Sequence, residues 1–205
     1  MSLVELCKEG DLEGVKVALQ RGVDVNTKDE HGWTGLMWAV RESHNSVVNL
    51  LLKTPNVDVN LKSDKRGNCA LHAAVMSGNN EALKLLLDFP SIDVNIVAKD
   101  GQSVVHRAVS NANIEGLKLL FDVPNFNVNI VNNFGTSALH LALWRNNIEM
   151  LKLLLTHPGL TAQTLNHKDF YGATPAMMAV TEDKLEHLAV LATDLRVNLD
   201  TIDTR

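Results

Sequence analysis

The chain has 205 residues, 45% of them hydrophobic and 21% charged, with a formal net charge of −5. This composition is ordinary for a globular protein, and its acidic balance argues against a general nucleic-acid binder, which needs a basic face. No apolar run reaches the 18 residues that suggest a membrane span, and Glu5 and Glu9 interrupt any leader-like stretch at the start.

Residues 1–26 read as a reduced first unit. Leu3 to Cys7 stand where a first helix is expected. Val15, Leu19 and Val23 give the buried side of a second helix, which runs towards Asp24-Val25-Asn26. This unit has no preceding hairpin, so it is expected to cap the N-terminal end of a repeat array.

Five fuller units follow, at 27–60, 61–95, 96–129, 130–166 and 167–200, and the start of a further turn is expected at 200–205. Their glycines, Gly32, Gly67, Gly101, Gly135 and Gly172, are 35, 34, 34 and 37 residues apart. An alanine stands seven residues after each: Ala39, Ala74, Ala108, Ala142 and Ala179. The units close on Asn26, Asn60, Asn95, Asn129 and Asn166. A period near 34 with two periodic segments per unit predicts an all-α solenoid of stacked helix-turn-helix units joined by short β-hairpin loops. The whole chain, 1–205, is expected to form one such domain, with about six repeats counting the reduced one.

Each unit has the same physical parts. A polar turn ends on the glycine, which takes φ > 0 freely at a hairpin tip. Two residues on, Thr34, Cys69, Ser103, Ser137 or Thr174 is placed to cap a short first helix. That helix carries small residues, such as Ala70, Ala73 and Ala74, which admit close neighbours. The second helix repeats leucines at i, i+3, i+4, as in Leu83, Leu86 and Leu87, with Lys84, Lys118 and Lys152 on its outer side. Pro55, Pro90, Pro124 and Pro158 stop it. The stretch from Pro158 to Asn166 is about three residues longer and reads as a surface-loop insertion. The two cysteines, Cys7 and Cys69, fall in helical segments of different units with no CxxC pair, so reduced thiols in the cytoplasm or nucleus are expected.

The motifs Asp29-x-x-Gly32-x-Thr34-x-Leu36, Gly67-x-x-x-Leu71-His72-x-Ala74 and Gly135-x-Ser137-x-Leu139-His140-x-Ala142 resemble the ankyrin-repeat family, as do the endings Val57-Asp58-Val59-Asn60 and Ile92-Asp93-Val94-Asn95. The resemblance covers nearly the whole chain. Departures are Gly35, Val104 and Ala138 where proline is usual, Met37 and Met177 in place of histidine, and proline in place of the glycine that usually ends the second helix. The resemblance implies a protein or peptide partner held on a concave surface of hairpin tips and first helices, by fold analogy alone. It also implies that Asn60 and Asn95, with Leu52 and Leu87 eight residues upstream, are candidates for asparaginyl hydroxylation. A purely structural role in the turn is the competing reading.

Catalysis and cofactors are not expected. Ser103-x-x-His106 and Ser137-x-x-His140 look like nucleophile and base, but the pair recurs with the repeat, and Cys69-x-x-His72 matches it. Histidines one unit apart are separated by roughly 10 Å, a helix-packing distance, whereas zinc ligands converge at about 2 Å. No phosphate-loop or dinucleotide glycine motif is present.

The scarce aromatics mark the binding face instead. Trp33 follows a tip glycine, Trp38 and Trp144 lie on first helices, and Phe134, Phe170 and Tyr171 occupy neighbouring tips. Trp38 has a second reading as packing against the next unit. Arg41, Lys65, Arg66, Arg107 and Arg145 flank this surface and suit an acidic partner, or serve only as a solvated face. A non-catalytic scaffold or adaptor, monomeric apart from contacts through an uncapped C-terminal end, is the leading expectation. The alternatives are nucleotide or small-ligand sensing by the tip aromatics, and a substrate-recruiting segment of a larger enzyme such as a ubiquitin ligase.

Overall fold

The 34-residue period folds into paired helices. The computed structural model describes residues 1–200. It pairs α1 (Leu3–Glu9) with α2 (Leu12–Gln20), α3 (Gly35–Arg41) with α4 (Asn45–Leu52), and α5 (Ala70–Ser77) with α6 (Asn80–Leu87). It then pairs α7 (Val104–Ser110) with α8 (Ile114–Phe121) and α9 (Ala138–Trp144) with α10 (Ile148–Leu155). After the one-turn α11 (Ala162–Leu165), α12 (Pro175–Thr181) pairs with α13 (Leu185–Leu191). First helices stack on first helices, from α1 through α3, α5, α7 and α9 to α12, and the second helices form a parallel layer. One apolar cluster runs between the layers from Leu3 to Leu191. Apart from Asp200, the further turn expected at 200–205 lies outside the described residues.

The first helices start where the hydroxyl and thiol positions place them. Thr34 and Thr174 accept from the N–H groups of Met37 and Met177, and Cys69, Ser103 and Ser137 form reciprocal caps with His72, His106 and His140. The second helices start on Asn79, Asn113 and Asn147, whose side-chain oxygens accept from the N–H groups of Ala82, Gly116 and Met150. The Nδ2 of Asn79 also donates to the Val40 carbonyl at 2.9 Å, and that of Asn113 to the Val75 carbonyl at 3.2 Å. A capping residue thus fastens its unit to the one before.

The closing asparagines make a second set of ties. Asn60 Nδ2 donates to the Ser91 carbonyl at 2.7 Å while its Oδ1 accepts from the Asp93 N–H at 2.9 Å. Asn95 repeats this with Asn125 and Asn127, and Asn26, Asn129 and Asn166 do the same in their own units.

The hairpins are short, as the sequence suggests. Each tip closes through two backbone bonds, such as Asp29 N–H to Trp33 O at 2.9 Å and Gly32 N–H to Asp29 O at 3.0 Å, and among the described residues only Lys28–Thr34 and Val97–Ser103 meet as β-bridges. The chain diverges at once into the asparagine turn on one side and the helix cap on the other, which leaves no length for strands. Tip packing is close: a Cβ on Gly101, where φ is 75°, would lie 2.7 Å from the Asn133 nitrogen of the next tip. Glycine is required there twice over, by its dihedral and by its neighbour.

Two local expectations need correction. Val23 is exposed rather than on the buried side of a helix, because α2 ends at Gln20. The stretch after Pro158 is no plain surface loop: Thr161 caps α11, and Leu160 and Leu165 are buried in the core.

Candidate functional site

The hairpin tips and first helices form one face, and its two ends differ. In unit two, Trp33 from a tip and Trp38 from α3 meet with ring centroids 5.0 Å apart and planes tilted by 42°. The Trp38 indole N–H donates to Asp29 Oδ2 at 2.8 Å, while Asp29 Oδ1 accepts from the His31 and Trp33 N–H groups, each at 2.8 Å. Burial works to raise the Asp29 pKa, but these donors outweigh it and hold the carboxyl below its ordinary range. The carboxylate therefore holds the Trp38 indole directly and the Trp33 backbone beside it. The Arg41 guanidinium lies over the rings, 5.5 Å from the Trp33 centroid and 5.0 Å from that of Trp38, and the Lys8 ammonium sits 4.5 Å from Trp38. Trp38 is thus half-buried, between Trp33 and Arg41 of its own unit and Lys8 of the unit before.

Beside this cluster lies a cavity of about 610 Å³, whose walls include Trp33, Trp38, Arg41, Arg66 and Met76. Lys65 reaches the His31 Nδ1 at 3.1 Å, and Arg66 is exposed. A smaller cavity of about 270 Å³ continues along the face between Lys65, Arg66, Lys99, Asp100 and Arg107. Arg107 is anchored to Asp100 at 3.0 Å, and its Nε is buried without a hydrogen-bond partner among the described residues.

In units five and six the face turns apolar. Phe134 is 61% exposed, Trp144 69%, Phe170 80% and Tyr171 90%. Phe170 and Tyr171 pack edge to face at 6.0 Å, and the Phe170 N–H donates to the Phe134 carbonyl at 2.9 Å, so these tips are neighbours. Trp144 makes no ring contact with them among the described residues. Arg145 caps the end of α9 and is exposed.

The expected binding residues therefore fall into two groups: Trp33, Trp38, Arg41, Lys65, Arg66 and Arg107 around the cavities, and Phe134, Trp144, Arg145, Phe170 and Tyr171 on the open apolar end. Sequence reasoning missed Asp29, which ties the Trp38 indole to the Trp33 backbone, and Met76. Met76 lies 35 residues after Arg41, so the repeat register could have found it. The Asp29–Trp38 bond joins a tip to a helix and becomes visible only in three dimensions.

The serine–histidine pairs have no outlet for chemistry. His106 Nδ1 contacts Ser103 Oγ at 2.9 Å and its Nε2 meets the Thr136 carbonyl of the next unit, with both residues buried. Burial lowers the His72 and His106 pKa to about 4 and that of His140 below the usual imidazole range. Among the described residues no group of three or more His, Cys, Asp or Glu could hold a metal ion, and no helix is long and apolar enough to cross a membrane. Asn60 and Asn95 are half-buried, with both amide atoms engaged in the turn.

Comparison with known proteins agrees with this architecture. The family model described as Ankyrin repeats (3 copies) matches residues 3–100, 58–129 and 105–203. Ankyrin repeat domain-containing protein 40 of Homo sapiens is 43% identical over 53 residues, 25% of this chain and 14% of that protein. Osteoclast-stimulating factor 1 of Xenopus laevis is 39% identical over 58 residues, 28% of this chain and 27% of that protein. The aligned stretch thus spans about a quarter or less of these relatives. With the repeat model matched almost from end to end, the chain belongs to the ankyrin-repeat family.

Proposed function

We propose that the protein is a non-catalytic scaffold or adaptor that binds a protein or peptide on the face made by its hairpin tips and first helices. Ankyrin repeats are generally protein-interaction modules. The observation that carries the reading here is the run of large, open aromatic side chains at Phe134, Trp144, Phe170 and Tyr171, on a face where polar tips are the default. Trp144→Ala should weaken partner binding by roughly 30-fold while leaving the fold intact. The test is affinity and melting temperature measured on the same preparation, with the partner captured from native lysate and then purified. A melting temperature several degrees lower at unchanged affinity would sink the assignment.

Ligand sensing by bases stacked in the cavity is less well supported, because Arg41 already lies over both indoles there. A role as the recruiting segment of a larger enzyme uses the same face. The free, buried thiols Cys7 and Cys69 fit a reducing compartment such as the cytoplasm or nucleus, which localisation of the tagged chain would test. Asn60 and Asn95 are offered as hydroxylation sites. Mass spectrometry after co-expression with an asparaginyl hydroxylase should find one added oxygen on either, and an unmodified pair rejects the assignment.

A further inference from the structure

The binding face changes chemistry along the solenoid in a way that single residues conceal. The residue before each tip glycine reads His31, Arg66, Asp100, Phe134, Tyr171 from the second unit to the sixth. The seventh position of each first helix reads Arg41, Met76, Ser110, Trp144, Thr181. The cationic side chains around the two cavities belong to units two to four, and the open aromatics belong to units five and six.

The geometry points to a bipartite partner segment that can lie in only one direction. An acidic, extended run seats over units two to four, and an apolar run seats over units five and six. This deepens the peptide-binding reading above and rests on it. Three observations select carboxylates for the first run. Arg41 is held over the two indoles, which fixes its position before any ligand arrives. The Arg66 side chain makes no hydrogen bond or ion pair among the described residues, so its charge is available. Arg41 and Arg107 already have Glu42 at 3.6 Å and Asp100 at 3.0 Å, so little positive charge is left over at any one point. That surplus suits single carboxylates better than a dianionic phosphate. The spacing agrees for a chain in the polyproline II form: stacked units repeat at about 10 Å, and that form rises about 3.1 Å per residue with three residues per turn, so every third side chain faces the same side. One acidic residue in every three therefore meets one unit each.

The chain supplies its own reporters. Of its three tryptophans, Trp33 and Trp38 lie in the cationic half and Trp144 in the apolar half. Indole N–H signals of the full ¹⁵N-labelled chain can be followed during titration with three synthetic peptides: a repeat of Glu-Ser-Ala, an aromatic-rich peptide without charge, and the Ser-Ala peptide bearing one phosphoserine and no glutamate. The glutamate peptide should move the Trp33 and Trp38 signals and spare Trp144. Its affinity should fall roughly 10-fold between about 0.05 M and 0.5 M salt and again in Arg66→Glu, with Arg66→Lys restoring it. The aromatic peptide should move Trp144 alone and ignore salt. A joined peptide should move all three and bind more tightly than either part. If the glutamate peptide moves Trp144 as strongly as the pair, or if only the phosphoserine peptide binds, the bipartite assignment is overturned while peptide binding on this face stands. If no peptide moves any indole in a saturable way, both readings fall.

Discussion

The Nε2–H of His106 donates to the backbone carbonyl of Thr136 across 2.9 Å, from one unit into the next. The tautomer follows from the other nitrogen, because Nδ1 accepts from the Ser103 backbone N–H at 3.2 Å, which can only donate. His72 reaches the Gln102 carbonyl at 3.2 Å, and His140 reaches that of Ala173 at 3.0 Å, in the same manner. These imidazoles must be neutral to accept at Nδ1. Burial pushes His72 and His106 down to about 4 and His140 downward as well, from an ordinary value of 6.5. The unfolded chain therefore takes up protons first as the pH drops. Their stabilisation is complete above about pH 6.5 and is lost as the pH falls through the window down to about 4. For His106 the full effect is on the order of 3 kcal/mol. The melting temperature should be flat above about pH 7 and drop between about pH 6 and 4. His106→Gln should be less stable at neutral pH with a shallower drop, and a profile flat down to about pH 4 would refute the account.

Ala112 links α7 to α8 with φ at 52°, a region where a β-carbon is strained and where Gly10 and Gly78 serve in other units. Ala112→Gly should stabilise the protein by about 1 kcal/mol, read as a raised denaturation midpoint with unchanged slope. Destabilisation would show that loss of backbone restriction in the unfolded chain outweighs the relief.

Leu165 is fully buried although it belongs to the lengthened connection between α10 and α12. Leu165→Ala should cost about 2–5 kcal/mol, the range for a core leucine. A loss below about 0.5 kcal/mol, typical of surface positions, would return this stretch to a dispensable loop.

Arg145 and Lys118 separate the two sides of the molecule. Arg145→Ala, next to Trp144, should slow partner association, and the effect should shrink in high salt. Lys118→Ala breaks only an exposed pair with Glu115 at 2.7 Å on the outer layer, so neither affinity nor stability should change measurably. An equal effect from both substitutions on association would place the partner elsewhere.

The repeat was plain in the sequence because each landmark does one local task that must recur: glycine at the tip, hydroxyl at the cap, asparagine at the turn. Trp144 and the tip aromatics were equally legible, since the register alone places them on one face and their bulk has no place between stacked helices. What stayed hidden joins elements through space. Asp29 ties the Trp38 indole to the backbone of Trp33, and Arg41 lies over both rings. The one-turn α11 was also missed, because its lone buried leucine shows no helical period within nine residues of sequence.

The asparagine ties span only 30 to 33 residues, and each reaches the adjoining unit. The molecule therefore behaves as a ruler whose markings can be counted. Deleting residues 96–129, one whole period, would join Asn95 to Ile130 and set the Arg66 tip beside the Phe134 tip. Stitching of the same kind is offered on both sides of the cut. The distance between the cationic and aromatic ends would then shorten by a single notch, so the length of what the protein measures could be altered in whole-unit steps while each notch keeps its shape.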